Sequence, residues 1–196
     1  MKKVYVLSTL GVIAVVAVAA SVFALTRETA EVPADEIVPE LASQQDSSDV
    51  LPDYLNREDS GDIVEESVRS AGSDERADYW VARTRDDEIC LVVRVRGDQE
   101  IVSSSCGTPA NIYERGAASG TMAGGSNENA VEAYLIPHDV DASQLEAELP
   151  DSRITSTDGF TLAVRFPGTD DRFSEATIDR SGGGSFSFIP LSALGG

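Results

Sequence analysis

The chain has 196 residues, 41% of them hydrophobic and 25% charged, with a formal net charge of −19. That charge repels a phosphate backbone and excludes nucleic acid as a partner. Lys2 and Lys3 are the only lysines, so the rest of the chain lacks the amine needed for Schiff-base chemistry, a Ser-Lys dyad or a phosphate-loop lysine. GC-rich coding, which favours Arg over Lys, is a sufficient source of this bias.

Residues Val4 to Leu25 form an uncharged run, VYVLSTLGVIAVVAVAASVFAL, long enough to cross a hydrocarbon core as a helix. Lys2 and Lys3 precede it and acidic residues follow from Glu28. The positive-inside bias therefore predicts an N-terminal anchor over residues 1–27, with the N-terminus cytoplasmic and the remainder outside. A cleaved signal peptide is the competing reading, supported by the small residues of Val18-Ala19-Ala20 and Val22-Phe23-Ala24, although a signal core is ordinarily shorter.

From Glu28 to Glu75 there are fifteen acidic residues against Arg57 and Arg69. Residues 28–48 carry few apolar side chains and read as a disordered, self-repelling spacer. Residues 49–196 then form the extracytoplasmic domain, with Val50-Leu51-Pro52, Tyr54-Leu55 and Ile63-Val64 apolar enough to dock on it as short turns. Two acidic stretches resemble calcium loops but fail the pattern: the one from Asn56 has Ser67 at the closing position, and the one from His138 has Gln144 at the glycine position and Pro150 at the end.

The pattern changes to strands at ADYWVART, EICLVVRV and EIVSSS, rich in β-branched and aromatic residues. Arg96-Gly97-Asp98-Gln99 reads as a hairpin turn, which accounts for its Arg-Gly-Asp triplet without an adhesion role. Cys90 and Cys106 are the only cysteines, on neighbouring strand-like segments of an exported domain, and are expected to form one disulfide. A redox-active pair is the alternative, but the Cys-x-x-Cys spacing that activates a thiol is missing. Thr108-Pro109 before ANIYER, with Gly116 behind it, marks a short helix. Further on, NAVEAYLIP, RITSTDG, FTLAVRF, EATIDR and SFSFIPL read as strands. Ser143 to Leu149 reads as a second short helix capped by Asp141 or Ser143. The glycine-rich piece Gly116 to Gly125 reads as a loop or an irregular edge strand, and Gly182 to Gly184 likewise. The fold class is α+β: a mainly antiparallel β domain with one or two short helices, preceded by the transmembrane helix and the acidic linker.

The ordered landmarks Val50-Leu51-Pro52, Ser67-Val68-Arg69, Tyr79-Trp80-Val81-Ala82, Cys90-Leu91-Val92, Ser105-Cys106 and Val131 to Pro137 resemble a family of membrane-anchored extracytoplasmic proteins from high-GC Gram-positive bacteria. The resemblance covers roughly residues 50 to 140. It implies the architecture and an envelope location and supplies no catalytic residue. His138 departs from it, because an acidic residue is expected after the Pro.

His138 is the only histidine, so a nucleophile–histidine site would have to use it and a zinc site would need other ligands throughout. It reads as an exposed loop residue. Gly184-Ser185-Phe186 lacks the flanking glycine of a nucleophile elbow. No catalytic, cofactor-binding or metal-ligating residue is assigned, and no cofactor is expected. Tyr79 and Trp80, neighbours on an alternating strand, are the candidate binding surface, with core packing as the competing reading. The sequence thus points to a single-pass membrane protein whose extracytoplasmic domain binds an envelope protein or glycan, or acts as an accessory, without catalysis. The alternatives are a carboxylate-dependent wall or glycan hydrolase and a secreted protein released by signal-peptide cleavage.

Overall fold

The computed structural model describes residues 32–52, 62–97, 100–122, 130–166 and 175–191. The anchor run at 4–25, the acidic loop at 56–61 and the tip of the Arg-Gly-Asp turn at 98–99 lie outside the described residues. Among the described residues, no helix is long and apolar enough to cross a membrane.

Two antiparallel four-stranded sheets face each other. The first has the order β1-β2-β3-β4, from β1 (Arg69–Ser73), β2 (Ala77–Arg83), β3 (Ile89–Val95) and β4 (Ile101–Gly107). The second has the order β5-β6-β8-β7, from β5 (Ala117–Met122), β6 (Ala130–Pro137), β7 (Ser152–Ser156) and β8 (Phe160–Arg165). A hairpin of β9 (Ala176–Asp179) and β10 (Ser185–Phe188) forms a separate two-stranded sheet. The helices are α1 (Ala34–Ile37), α2 (Pro109–Arg115) and α3 (Ala142–Glu148).

Alternation along the central strands divides their side chains between two hydrophobic layers. Tyr79 and Val81, Leu91 and Val93, Leu135, and Phe160 and Leu162 meet between the sheets. Trp80, Ala82, Cys90 and Val92 point to the opposite face of the first sheet, under Leu51 and Val68. Tyr134, Ile136 and Ala163 point to the opposite face of the second, under Leu145, Ile178, Phe186 and Phe188. Because both outer faces are covered, β2, β3, β6 and β8 read as near-continuous apolar runs.

Cys90 and Cys106 oppose each other in the β3–β4 ladder and are joined by a disulfide. Thr108 caps α2 by accepting from the Asn111 amide at 3.4 Å. Asp141 caps α3, accepting from the amides of Ser143 at 2.9 Å and Gln144 at 3.2 Å. Gly116 ends α2 at φ +72, where a Cβ would overlap the Leu135 carbonyl oxygen, so glycine is required on two counts.

Residues 32–48 differ from the expected disordered spacer. Ile37 and Val38 are 1% and 0% exposed between the sheets, and burying two such side chains stabilises by about 1.5–3 kcal/mol each. Polar contacts complete the docking of this strap. The Glu40 carboxylate accepts from Thr157 Oγ1 and, at 3.1 Å, from the Gly159 amide in the β7–β8 turn. Arg69, itself buried, donates to the Ser43 carbonyl and, at 3.1 Å, to Ser43 Oγ. Asp49 accepts from the Ser70 amide at 2.7 Å along the free edge of β1. The strap's acidic composition conceals a few apolar residues at the spacing a core needs, and its acids either point outward or find backbone donors.

Candidate functional site

The residues nominated as a binding surface do not form one. Tyr79 is fully buried between the sheets and Trp80 is 5% exposed beneath Leu51 and Val68. The sheet is covered on both faces, so the alternation that separates the two rings sends neither to solvent. Tyr79 Oη donates to Asp74 at 2.7 Å, and the Arg94 guanidinium lies 5.5 Å from the Trp80 ring centroid.

These contacts belong to a charged cluster around the β1–β2 turn, reached from β7 by Arg153. Asp78 accepts from Arg94 at 2.5 Å and also pairs with Arg96, while Asp74 accepts from Arg153 at 2.7 Å and ties β7 to the first sheet. Burial pushes the carboxyls of both Asp74 and Asp78 up. The opposing hydrogen bonds and charges prevail: Tyr79, the Arg76 and Ala77 amides and Arg153 at Asp74, and Arg96 and Arg94 at Asp78, leave both below the ordinary carboxylate value. A general acid for glycoside hydrolysis needs the reverse shift, so this pair of carboxylates is suited to holding strands together. Burial, then the neighbouring Asp74, pushes the Tyr79 phenol far up, which keeps it a donor.

His138 is exposed at the turn after β6. Its neighbour Asp139 pairs with Arg180 at 2.5 Å, and Asp141 caps α3, so the acids of that loop serve the fold. Among the described residues, no group of three or more His, Cys, Asp or Glu side chains could hold a metal ion.

Among the described residues, an arrangement able to hold a ligand lies at the β4–β5 edge. There β4 and β5 run close together, with Ser103 Oγ 2.8 Å from Ser119 Oγ, and then part around α2, which connects them. The opening is a groove of about 300 Å³, lined by Ser105, Cys106 and Gly107 of β4, Asn111, Ile112 and Arg115 of α2, Gly116, then Ala117 and Ala118 of β5, and Ile189. Ile112, Ala117, Ala118 and Ile189 make an apolar floor. Ser105, Asn111 and Arg115 bring hydroxyl, amide and guanidinium groups, none of whose side chains bonds to another described residue. Among the described residues, Arg115 is the only charged one lining the groove. The other described arginines are engaged: Arg83, Arg85, Arg94, Arg96, Arg153, Arg165 and Arg180 form ion pairs, Arg69 bonds backbone carbonyls, and Arg76 lies over the Phe166 ring.

Apolar walls with a few converging polar groups are the usual make-up of a small-ligand site. The frame is rigid, because Gly107 packs on Ile112, Gly116 lies against the Leu135 carbonyl, and the disulfide pins β4 to β3. A sequence signal for it existed in the four-residue spacing of Asn111 and Arg115, which puts both on one face of a recognisable helix. The other wall comes from β5, whose small residues read as a loop or an irregular edge strand. No known protein family, curated protein or solved structure matches this chain.

Proposed function

We propose that this chain is a single-pass membrane protein whose extracytoplasmic domain is a binding or accessory component of the cell envelope, holding a partner or ligand without chemistry of its own. The observation that carries the binding role is the groove at the β4–α2–β5 edge, where three polar side chains keep unspent hydrogen-bonding capacity over an apolar floor. The uncharged run at 4–25, the two lysines before it and the disulfide support the location. Val32 is the first described residue packed against the core, and six residues, the number between Leu25 and Val32, can reach at most about 20 Å. On this reading, so short a connection would hold the domain near the membrane surface.

Protease added to wall-stripped cells tests the topology, with loss of the domain expected and its protection refuting the orientation. A mature N-terminus near Ser21 or Leu25 in the culture medium would establish release instead. Co-purification from solubilised membranes tests the binding role: a partner retained by the native chain and lost when Asn111 and Ala118 are both replaced by Trp supports the groove. Retention by that variant refutes its involvement.

A further inference from the structure

We infer that the groove binds the carboxylate end of a short peptide with small side chains, with Arg115 as the group that recognises the charge. This rests on the binding role proposed above and adds the ligand class. In a chain of net charge −19, Arg115 lines a cavity whose described lining holds no carboxylate, and it makes no ion pair with another described residue. A guanidinium presents a planar fork that fits one carboxylate through two parallel N–H···O bonds. A single cation matches a single negative charge, whereas a phosphate dianion would call for further donors of positive charge. The peptide character follows from the walls. Among the described residues both β4 and β5 end their sheets, so where they part at Ser105 to Gly107 and at Ala117 and Ala118 each offers backbone groups without a described partner in its own sheet, and an extended chain can pair with such groups. The floor of Ala117, Ala118 and Ile112 offers apolar contact to methyl-sized side chains. Asn111, one turn before Arg115 on α2, and Ser105 on β4 can donate to or accept from the peptide's amides.

An Arg in the last turn of a helix also complements the helix dipole without any ligand, and the test must separate the two roles. Full-length ¹⁵N-labelled protein in detergent micelles is titrated with alanyl-alanine, with its C-terminal amide, and with inorganic phosphate, following the amides of Gly107, Gly116, Ala117 and Ala118. The expected result is saturable shifts at these amides with the free acid and at least tenfold weaker binding of the amide and of phosphate. Arg115→Gln should lose binding of the acid at least tenfold, and Arg115→Lys, which keeps the charge but loses the fork, should lose it severalfold, both with unchanged thermal midpoints. Equal binding of acid and amide overturns the carboxylate assignment while leaving the groove a binding site. Phosphate binding as tightly as the acid, or undiminished binding by Arg115→Gln, overturns it too. Shifts with none of the three probes overturn both the assignment and the groove as a peptide site.

Discussion

Replacing Arg180 by Met should unlatch three parts of the domain at once. The Arg180 side chain is 2% exposed, donates to Asp139 at 2.5 Å, to the Ser185 carbonyl at 3.3 Å and to the Tyr113 carbonyl at the end of α2, and lies 3.8 Å from the Tyr113 ring centroid. It thus joins the turn after β6, the β9–β10 hairpin and α2. Met keeps most of the volume but no donor, so the Asp139 carboxylate and two carbonyls lose a charged partner. Breaking a fully buried pair costs about 3–5 kcal/mol. The Asp139 side chain is 20% exposed and can recover some hydration, which places the expected loss near the lower bound, about 3 kcal/mol. That is a large share of the 5–15 kcal/mol that holds an ordinary domain folded. Urea unfolding can be followed by fluorescence of Trp80, the sole Trp, which is buried and remote from the substitution. Asp139→Ala in the Arg180→Met background removes the stranded charge, so the double variant should lose at least about 1 kcal/mol less than the sum of the singles. A loss below about 1 kcal/mol for Arg180→Met, or strict additivity, would refute the latch.

Replacing Cys90 and Cys106 together by Ala should cost about 3 kcal/mol on the chain-entropy account for a separation of 16 residues, and two freely alkylated thiols in the native protein would contradict the pairing. Asp74 and Asp78 have folded pKa values below their unfolded ones. The unfolded chain therefore binds more protons in acid, and stability is fully present above about pH 4 and falls as pH drops further. The Tyr79 and Tyr134 phenols are pushed up, both chiefly by burial, so stability should fall again above about pH 10; urea midpoints flat from pH 6 to 2 and from 9 to 11 would show that neither set is coupled to folding. A Cβ on Gly159 would overlap the Glu40 carboxylate, so Gly159→Ala should raise amide hydrogen exchange across Ile37 to Leu41 while β3 stays protected, and unchanged exchange there would mean that Glu40 does not hold the strap.

Local signals placed most of the strands and both of the longer helices, because the information for them is local. Val, Ile and aromatic residues in short runs specify β2, β3, β6 and β8, and Thr108-Pro109 with Gly116 delimits α2 through its own side-chain and backbone requirements. Strand β1, ArgSerAlaGlySer, went unread. It is an edge strand whose register shifts between Ser70 and Gly72, and such a strand owes its conformation to its ladder partner more than to its own residues. The strap was misjudged for a related reason. Composition averages over a window, and Asp35, Glu36, Glu40 and Asp46 with the polar residues around them outweigh Ile37 and Val38 there, yet two side chains buried between two sheets, with the contacts of Glu40 and Ser43, order the segment once the sheets exist.

The candidate site divides along the same line. The residues alone determined the two cysteines' pairing and the helix that carries Asn111 and Arg115, since each follows from composition or from spacing within a few positions. Only the tertiary structure decided that Tyr79 and Trp80 are interior, because exposure depends on what covers each face of a sheet, and here Leu51 and Val68 arrive from elsewhere in the chain. It also decided that Arg115 borders a cavity while Arg180, in a strand-like stretch of similar appearance, is a buried latch. Charge and spacing are properties of a segment, whereas an arginine's free or committed state depends on which carboxylates and carbonyls the fold brings within reach of it.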